Sequence, residues 1–128
     1  MLTIAVKSVF VDDQERALAF YTDVLGFVKD RDVPLGAARW LSVGSPAAPD
    51  GVELLLEPND NPISRSYQQA VYQARIPVTA FATDDIHKEY RRPTELGVGF
   101  TGEPARTGEV TGAAFDDTGG NLTGLFRP

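Results

Sequence analysis

The apolar residues that follow the first predicted strand have the spacing of one face of a helix. They recur every three or four positions: Ala17, Leu18, Tyr21, Val24 and Leu25. This period predicts an amphipathic helix over residues 13–25. Asp12 and Glu15 stand where a capping box would close the first turn, and Gly26 stands where a left-handed residue would end the helix. The pattern predicts a core helix packed on a sheet.

Alternating and β-branched runs predict the strands on either side of this helix. The first predicted strand covers residues 3–11, and the strands after the helix cover 27–32, 38–43 and 52–57. Glycine and proline mark residues 44–51 as a loop. The first half of the chain is therefore predicted to have the order β-α-β-β-β.

The same pattern returns in the second half of the chain. A predicted strand at 77–83 leads into Asp84-Asp85, which repeats Asp12-Asp13 after 72 residues. Further on, Leu96-Gly97 repeats Leu25-Gly26 after 71 residues, and Leu125–Pro128 repeats Leu55–Pro58 after 70. Three landmarks in the same order indicate an internal duplication.

The duplication defines the predicted domain organisation. We predict one α+β domain made of two β-α-β-β-β units, residues 1–58 and 76–128. Residues 59–75 would connect the units and carry a short helix, which Ser64 or Ser66 could cap.

The second helix differs from the first because it contains a proline. Pro93 removes a backbone donor and clashes with the preceding turn. We therefore expect a break or kink near Arg92, with Ile86 and Tyr90 still facing inward.

Composition narrows the classes of function. The chain has 128 residues, 42% of them hydrophobic and 23% charged, which suits a single domain with a buried core. It has no cysteine, so disulfides, thiolate metal sites and a cysteine nucleophile are excluded. With a net charge of −6 and no basic cluster, nucleic acid is not an expected partner. No apolar run approaches the roughly 20 residues of a membrane span, and no secretory signal is evident. We expect a cytoplasmic protein with no membrane partner.

Two segments resemble one protein family. Residues 11–27 are similar to the first-helix signature of the vicinal oxygen chelate superfamily, which includes glyoxalase I, bleomycin-resistance proteins, fosfomycin-resistance enzymes and extradiol dioxygenases. The segment Phe115-Asp-Asp-Thr-Gly-Gly-Asn-Leu122 resembles the Asp-Pro-x-Gly-Asn segment before the last strand of that family. The resemblance implies two paired half-barrels that enclose a cleft, and a homodimer.

The resemblance also implies where a metal would be bound. Enzymes of the family hold a divalent metal with His, Glu or Gln from the first and last strands of each unit. The matching positions in this chain are Val6, Leu54, Val78 and Gly124. None of these residues offers a ligand atom, although a one-residue slip would place Glu53 in the first half. The sole histidine, His87, is expected on the solvated side of its helix. We therefore expect neither a metal nor another cofactor, and no glyoxalase or dioxygenase activity.

The leading functional hypothesis is a metal-independent protein that binds a small molecule, of the bleomycin-resistance kind, and sequesters it. Trp40 can stack on a planar ligand, and is equally well interpreted as a core or dimer-interface aromatic. The candidate cleft residues are Trp40, Phe10 and Ser8, followed by Arg39, Tyr67, Phe115 and Tyr72, each of which could equally have a structural role.

An enzyme of lyase or isomerase type, working by acid–base chemistry, is the alternative. Its candidate carboxylates are Glu53, Glu57 and Glu109, of which the first two could share one side of a strand. Acid–base catalysis asks for a pKa raised by burial or by a like charge. These glutamates could equally be a solvated face. A third hypothesis is a dimerising scaffold that binds no ligand.

Overall fold

Two four-stranded sheets with the same internal order form the fold in the computed structural model, which describes residues 1–128. The strands of the first sheet are β1 (Val6–Val11), β2 (Val28–Leu35), β3 (Ala38–Gly44) and β4 (Glu53–Pro58). Those of the second sheet are β5 (Thr79–Ala82), β6 (Ala105–Thr107), β7 (Val110–Asp116) and β8 (Leu122–Arg127). The sheet orders are β1-β4-β3-β2 and β5-β8-β7-β6. The predicted α+β class with two β-α-β-β-β repeats is confirmed.

The chain divides into two units, residues 1–65 and 66–128, each containing one sheet. The helices are α1 (Gln14–Ala19), α2 (Pro62–Gln73) and α3 (Ile86–Glu95). In both sheets the first strand runs parallel to the last, and the remaining neighbours are antiparallel. None of the helices combines the length and the apolar character that crossing a membrane requires.

Strand pairing refines the alignment of the two repeats. Ser8 pairs with Leu55 in the first sheet, and Ala80, its counterpart 72 residues later, pairs with Gly124 in the second. Leu55 is therefore the counterpart of Gly124, whereas the sequence alignment placed Leu54 there. The last strand of the second unit has slipped by one residue relative to the sequence landmarks.

The N-cap of the first helix lies one residue later in the chain than predicted. Asp13 is the N-cap, and its carboxylate accepts from the backbone N–H of Arg16 at 2.9 Å. Asp12 instead forms an ion pair with Arg16, and Glu15 pairs with Arg39 on the sheet. The predicted capping box is therefore wrong, because the neighbouring aspartate satisfies the first turn.

A π-helical turn, Phe20–Val24, continues α1. The wider turn admits an extra residue, so the adjacent aromatic side chains of Phe20 and Tyr21 are both buried. The end of this helical segment agrees with prediction, since Gly26 has a positive φ of 87°.

The two faces of the first sheet differ in character. Side chains alternate along a strand, so Val9 and Val11 of β1 are buried toward α1 while Ser8 and Phe10 lie on the opposite face. We call that opposite face the outer face; by strand register it also carries Arg31, Val33, Leu35, Trp40, Ser42, Glu53, Leu55 and Glu57. Strand β2 is one of the two edges of the sheet, the other being β1, and all residues of β2 are exposed.

The remaining two helices correct two predictions. Asn61 caps α2 by accepting from the N–H of Ser64 at 2.9 Å, so neither Ser64 nor Ser66 is the cap. Helix α3 continues through Pro93 to Glu95, so a break near Arg92 is wrong, and a kink there stays a prediction. Pro93 lies near the end of the helix and is buried, and this burial offsets the lost hydrogen bond.

The loop between β7 and β8 is organised around a buried aspartate. The carboxylate of Asp117, which is 1% exposed, accepts from the N–H of Gly119, the N–H of Asn121 and the side-chain amide of Asn121. Gln68 of α2 donates to the carbonyl of Gly119 and to Oδ1 of Asn121. The Asp-Thr-Gly-Gly-Asn segment therefore has a structural role, which is to attach this loop to α2.

Replacing Gly120 in this loop by alanine is expected to lower the free energy of unfolding by about 2 kcal/mol. Gly120 has a φ of 105°, and an added Cβ would lie 2.7 Å from Nε2 of Gln68. Chemical denaturation measures the effect. Gly36→Ala is the control, because Gly36 has a φ of 62° but nothing within 4 Å of the added carbon. Equal losses in the two variants would contradict a clash with Gln68.

Candidate binding surface

An open concavity of about 330 Å³ lies on the outer face of the first sheet. It is lined by Arg31, Val33, Leu35 and Trp40. Val33 and Leu35 are 52% and 62% exposed, so two branched apolar side chains face solvent beside the half-buried indole. Such a surface combines a flat aromatic group with apolar walls, which is the composition of small-molecule sites.

The β2–β3 hairpin brings these residues together. Val33 pairs with Trp40 and Leu35 with Ala38, so their side chains share a face. A bulge between Lys29 and Arg31 shifts the register by one residue. Because of this shift Arg31, instead of Asp30, lies opposite Ser42 and reaches the outer face.

Glu53 holds the indole in place from the neighbouring strand β4. Its Oε1 accepts from Nε1 of Trp40 at 3.0 Å and from Oγ of Ser42 at 2.5 Å. Nε of Arg31 lies 3.5 Å from the same oxygen. The Glu53 side chain is 12% exposed, whereas Arg31 is 64% exposed. The largely buried carboxylate therefore holds Trp40, Ser42 and Arg31 in place.

The surroundings of Glu53 keep it ionised. Burial alone would raise the pKa of its carboxyl group, but the hydrogen bonds from Ser42 and Trp40 and the charge of Arg31 together lower it below the ordinary value. Acid–base catalysis needs a shift in the opposite direction. The geometry gives the acid–base hypothesis no support at Glu53.

The chain matches the profile of the Glyoxalase/Bleomycin resistance protein/Dioxygenase superfamily over residues 3–125. It belongs to this superfamily. The resemblance to the vicinal oxygen chelate proteins seen in the sequence is thereby confirmed.

Individual proteins are similar to this chain over nearly its whole length. The uncharacterized protein YurT of Bacillus subtilis (strain 168) is 53% identical over 126 residues, which cover 98% of this chain and 99% of YurT. The structure of UcmS2 is 30% identical with a TM-score of 0.86, covering 98% of both chains. TnmS3, an antibiotic binding protein from Streptomyces sp. CB03234, is 31% identical with a TM-score of 0.79, covering 100% of this chain and 97% of its own.

The residues present do not fit the metal that enzymes of the superfamily hold. Leu54, one of the four positions inferred from the resemblance, is buried and pairs in register with Val43 on the side of the sheet that faces α1. No group of three His, Cys, Asp or Glu side chains forms a metal-binding cluster. Oε1 of Glu53 already has three partners, and His87 is exposed on α3.

Among the predicted ligand-binding residues of the first unit, three lie on the outer face and one does not. Trp40 lines the concavity, and Phe10 and Ser8 lie on the same face in β1. Arg39 lies on the opposite face, where it binds Asp32 through Nε and Nη2 and Glu15 through Nη1 at 2.6 Å. It ties α1 to the hairpin instead of lining the concavity.

The remaining candidates belong to the second unit. Phe115 is 2% exposed and packs on Phe100 with ring centroids 5.6 Å apart, so it is a core residue. Tyr67 is 58% exposed on α2. The hydroxyl of Tyr72 donates to Asp116 at 2.5 Å, and this bond raises the pKa of Tyr72. Glu109 is exposed in the turn before β7.

Arg31, Val33 and Leu35 were not predicted from the sequence as residues of this surface. Two of them could have been found, because Val33 and Leu35 alternate along a strand that precedes a turn at Gly36. The position of Arg31 depends on the bulge, which leaves no signal in the sequence.

Proposed function

We propose that this protein binds a small planar organic molecule on the outer face of its first unit, without a metal, and acts by sequestering it. The observation that carries the proposal is the anchored indole of Trp40 beside the exposed side chains of Val33 and Leu35. A flat ligand stacked on the indole would cover these apolar groups, and their removal from water would favour binding.

Pre-organisation supports the proposal. The indole N–H is already bonded to Glu53, so the ring loses little rotational freedom when a ligand binds. A binding role is also in keeping with the similarity to TnmS3, which is described as an antibiotic binding protein. The homodimer stays a prediction, as does the location in the cytoplasm.

Trp40→Ala is expected to weaken the binding of a planar aromatic ligand by about two- to tenfold, since stacking contributes about 0.5–1.5 kcal/mol beyond buried area. Because Trp40 is the only tryptophan, its fluorescence reports binding to the wild type. Calorimetric titration with bleomycin and 2-naphthamide compares the wild type with the variant. Repeating it after dialysis against EDTA tests metal independence, for which we expect unchanged affinity.

Tyr67→Ala is the matched control, since it removes an exposed aromatic residue of the second unit and should leave the affinity unchanged. Because Trp40 is half-buried on the outer face, its variant should lose less stability than the roughly 3–5 kcal/mol of a core aromatic. Unchanged affinity in Trp40→Ala, or no fluorescence response to any aromatic ligand, would refute the proposal.

A further inference from the structure

The concavity carries a single formal charge, and that charge is positive. Of its lining residues Arg31, Val33, Leu35 and Trp40, only the first is ionised. This contrasts with the chain as a whole, which has a net charge of −6. The one charged group that lines the concavity is therefore a cation, although the protein as a whole is negative.

The guanidinium of Arg31 is open to a ligand, whereas the negative charge of Glu53 is not. Nε of Arg31 lies 3.5 Å from Glu53, and 64% of the Arg31 side chain is exposed. The Glu53 side chain is 12% exposed, and its Oε1 is already occupied by Trp40 and Ser42. A bound molecule would therefore contact the cation more readily than the anion that balances it.

We infer that the ligand of this surface is a planar aromatic molecule bearing a negatively charged group, such as a carboxylate, which pairs with Arg31 while the ring stacks on Trp40. This inference rests on the proposed function and names the class of ligand. A guanidinium suits the partner, because its planar set of donors matches the two oxygens of a carboxylate. Val33 and Leu35 would cover the apolar part of the ring.

The positive charge of Arg31 also disfavours a cationic ligand. A positive group stacked on the indole would gain a cation–π contact, but it would lie beside the guanidinium of Arg31. The carboxylate that could compensate this repulsion, Glu53, is largely buried and already pairs with Arg31. Repulsion between like charges would therefore offset the attraction of the ring.

Three ligands with one ring system test the inference: 2-naphthoate, 2-naphthamide and 2-naphthylmethylamine. They are titrated by Trp40 fluorescence and calorimetry at neutral pH in about 0.15 M salt, where charges beyond ~8 Å are screened. The wild type is expected to bind the naphthoate about two- to fivefold more tightly than the amide, and the amine least tightly. Arg31→Gln is expected to remove the preference for the naphthoate while retaining binding of the amide.

Lys29→Gln is the matched control. It also removes one positive charge from β2, but Lys29 pairs in register with Val43, so it lies on the face toward α1. It should keep the preference for the naphthoate. Thermal denaturation checks that both variants are folded.

The outcomes separate the inference from the function on which it rests. Equal affinity for the naphthoate and the amide, a preference for the amine, or an equal effect of the two substitutions would overturn the inference and leave small-molecule binding intact. If none of the three ligands binds the wild type, both the inference and the proposed function fail.

Discussion

Asp117→Ala is expected to lower the free energy of unfolding by about 4 kcal/mol, because each buried donor left unpaired costs about 1–3 kcal/mol. The substitution removes the acceptor of the N–H groups of Gly119 and Asn121 and of the Asn121 side-chain amide. All of these bonds are buried, so water cannot readily replace the carboxylate. The loop would then lose its attachment to Gln68 as well, since Asn121 and Gly119 are the groups to which Gln68 donates.

Urea denaturation followed by circular dichroism measures this loss. Asp117→Asn keeps one acceptor oxygen and should lose less stability than the alanine variant. Asp50→Ala is the control, because Asp50 is exposed in the loop before β4 and its removal should change stability by less than about 0.5 kcal/mol. A loss below about 1 kcal/mol in Asp117→Ala would show that the loop does not depend on this carboxylate.

Glu53→Ala is expected to cost about 3 kcal/mol of stability and to release the indole of Trp40. The hydroxyl of Ser42, whose residue is 0% exposed, and the indole N–H would both lose their acceptor. The freed ring would sample several orientations, so the tryptophan emission should shift and planar ligands should bind more weakly. Glu57→Ala is the control on the same strand and the same face, and it should change stability by less than about 1 kcal/mol.

The contribution of Glu53 to the free energy of unfolding should also depend on pH. Its pKa in the folded protein is lower than the ordinary value of 4.5, so the folded state binds its proton less readily than the unfolded state does. The stability that the ionised group contributes is therefore complete above pH 4.5 and is lost as the pH falls through the lowered pKa. The difference between the wild type and Glu53→Gln should accordingly be largest near neutral pH and shrink on acidification. A difference that is constant from neutral to acidic pH would contradict the ionised anchor.

The duplicated architecture could be predicted from sequence because its signals are local and periodic. The helical spacing of Ala17 to Leu25 and the repeated Asp-Asp and Leu-Gly landmarks each depend on residues a few positions apart. The exact N-cap could not be predicted in the same way. Asp12 and Asp13 are chemically equivalent caps, and the choice between them depends on where β1 ends against the sheet.

The candidate surface was less predictable, because it depends on register between strands. Adjacent residues of a strand point to opposite faces, so Arg39 and Trp40 could not both line one cleft. Alternation shows that only one of the two can line the cleft. The structure shows that this residue is Trp40. The bulge before Arg31 then decides which charged residue of β2 joins Trp40. The break predicted near Pro93 also failed because of tertiary packing. Burial of Pro93 in the second unit outweighs the low helix propensity of proline.

The exposed edge strand β2 has a consequence for the behaviour of the protein at high concentration. An edge with unpaired backbone groups is a template onto which another strand can add, and repeated addition leads to fibrillar aggregates. On β2 the bulge after Lys29 interrupts this template, the alternating charges of residues 29–32 surround it, and Pro34 lacks a donor N–H. The same strand that supplies the apolar wall of the concavity thus carries the features that hinder amyloid-like growth, which allows Val33 and Leu35 to stay exposed.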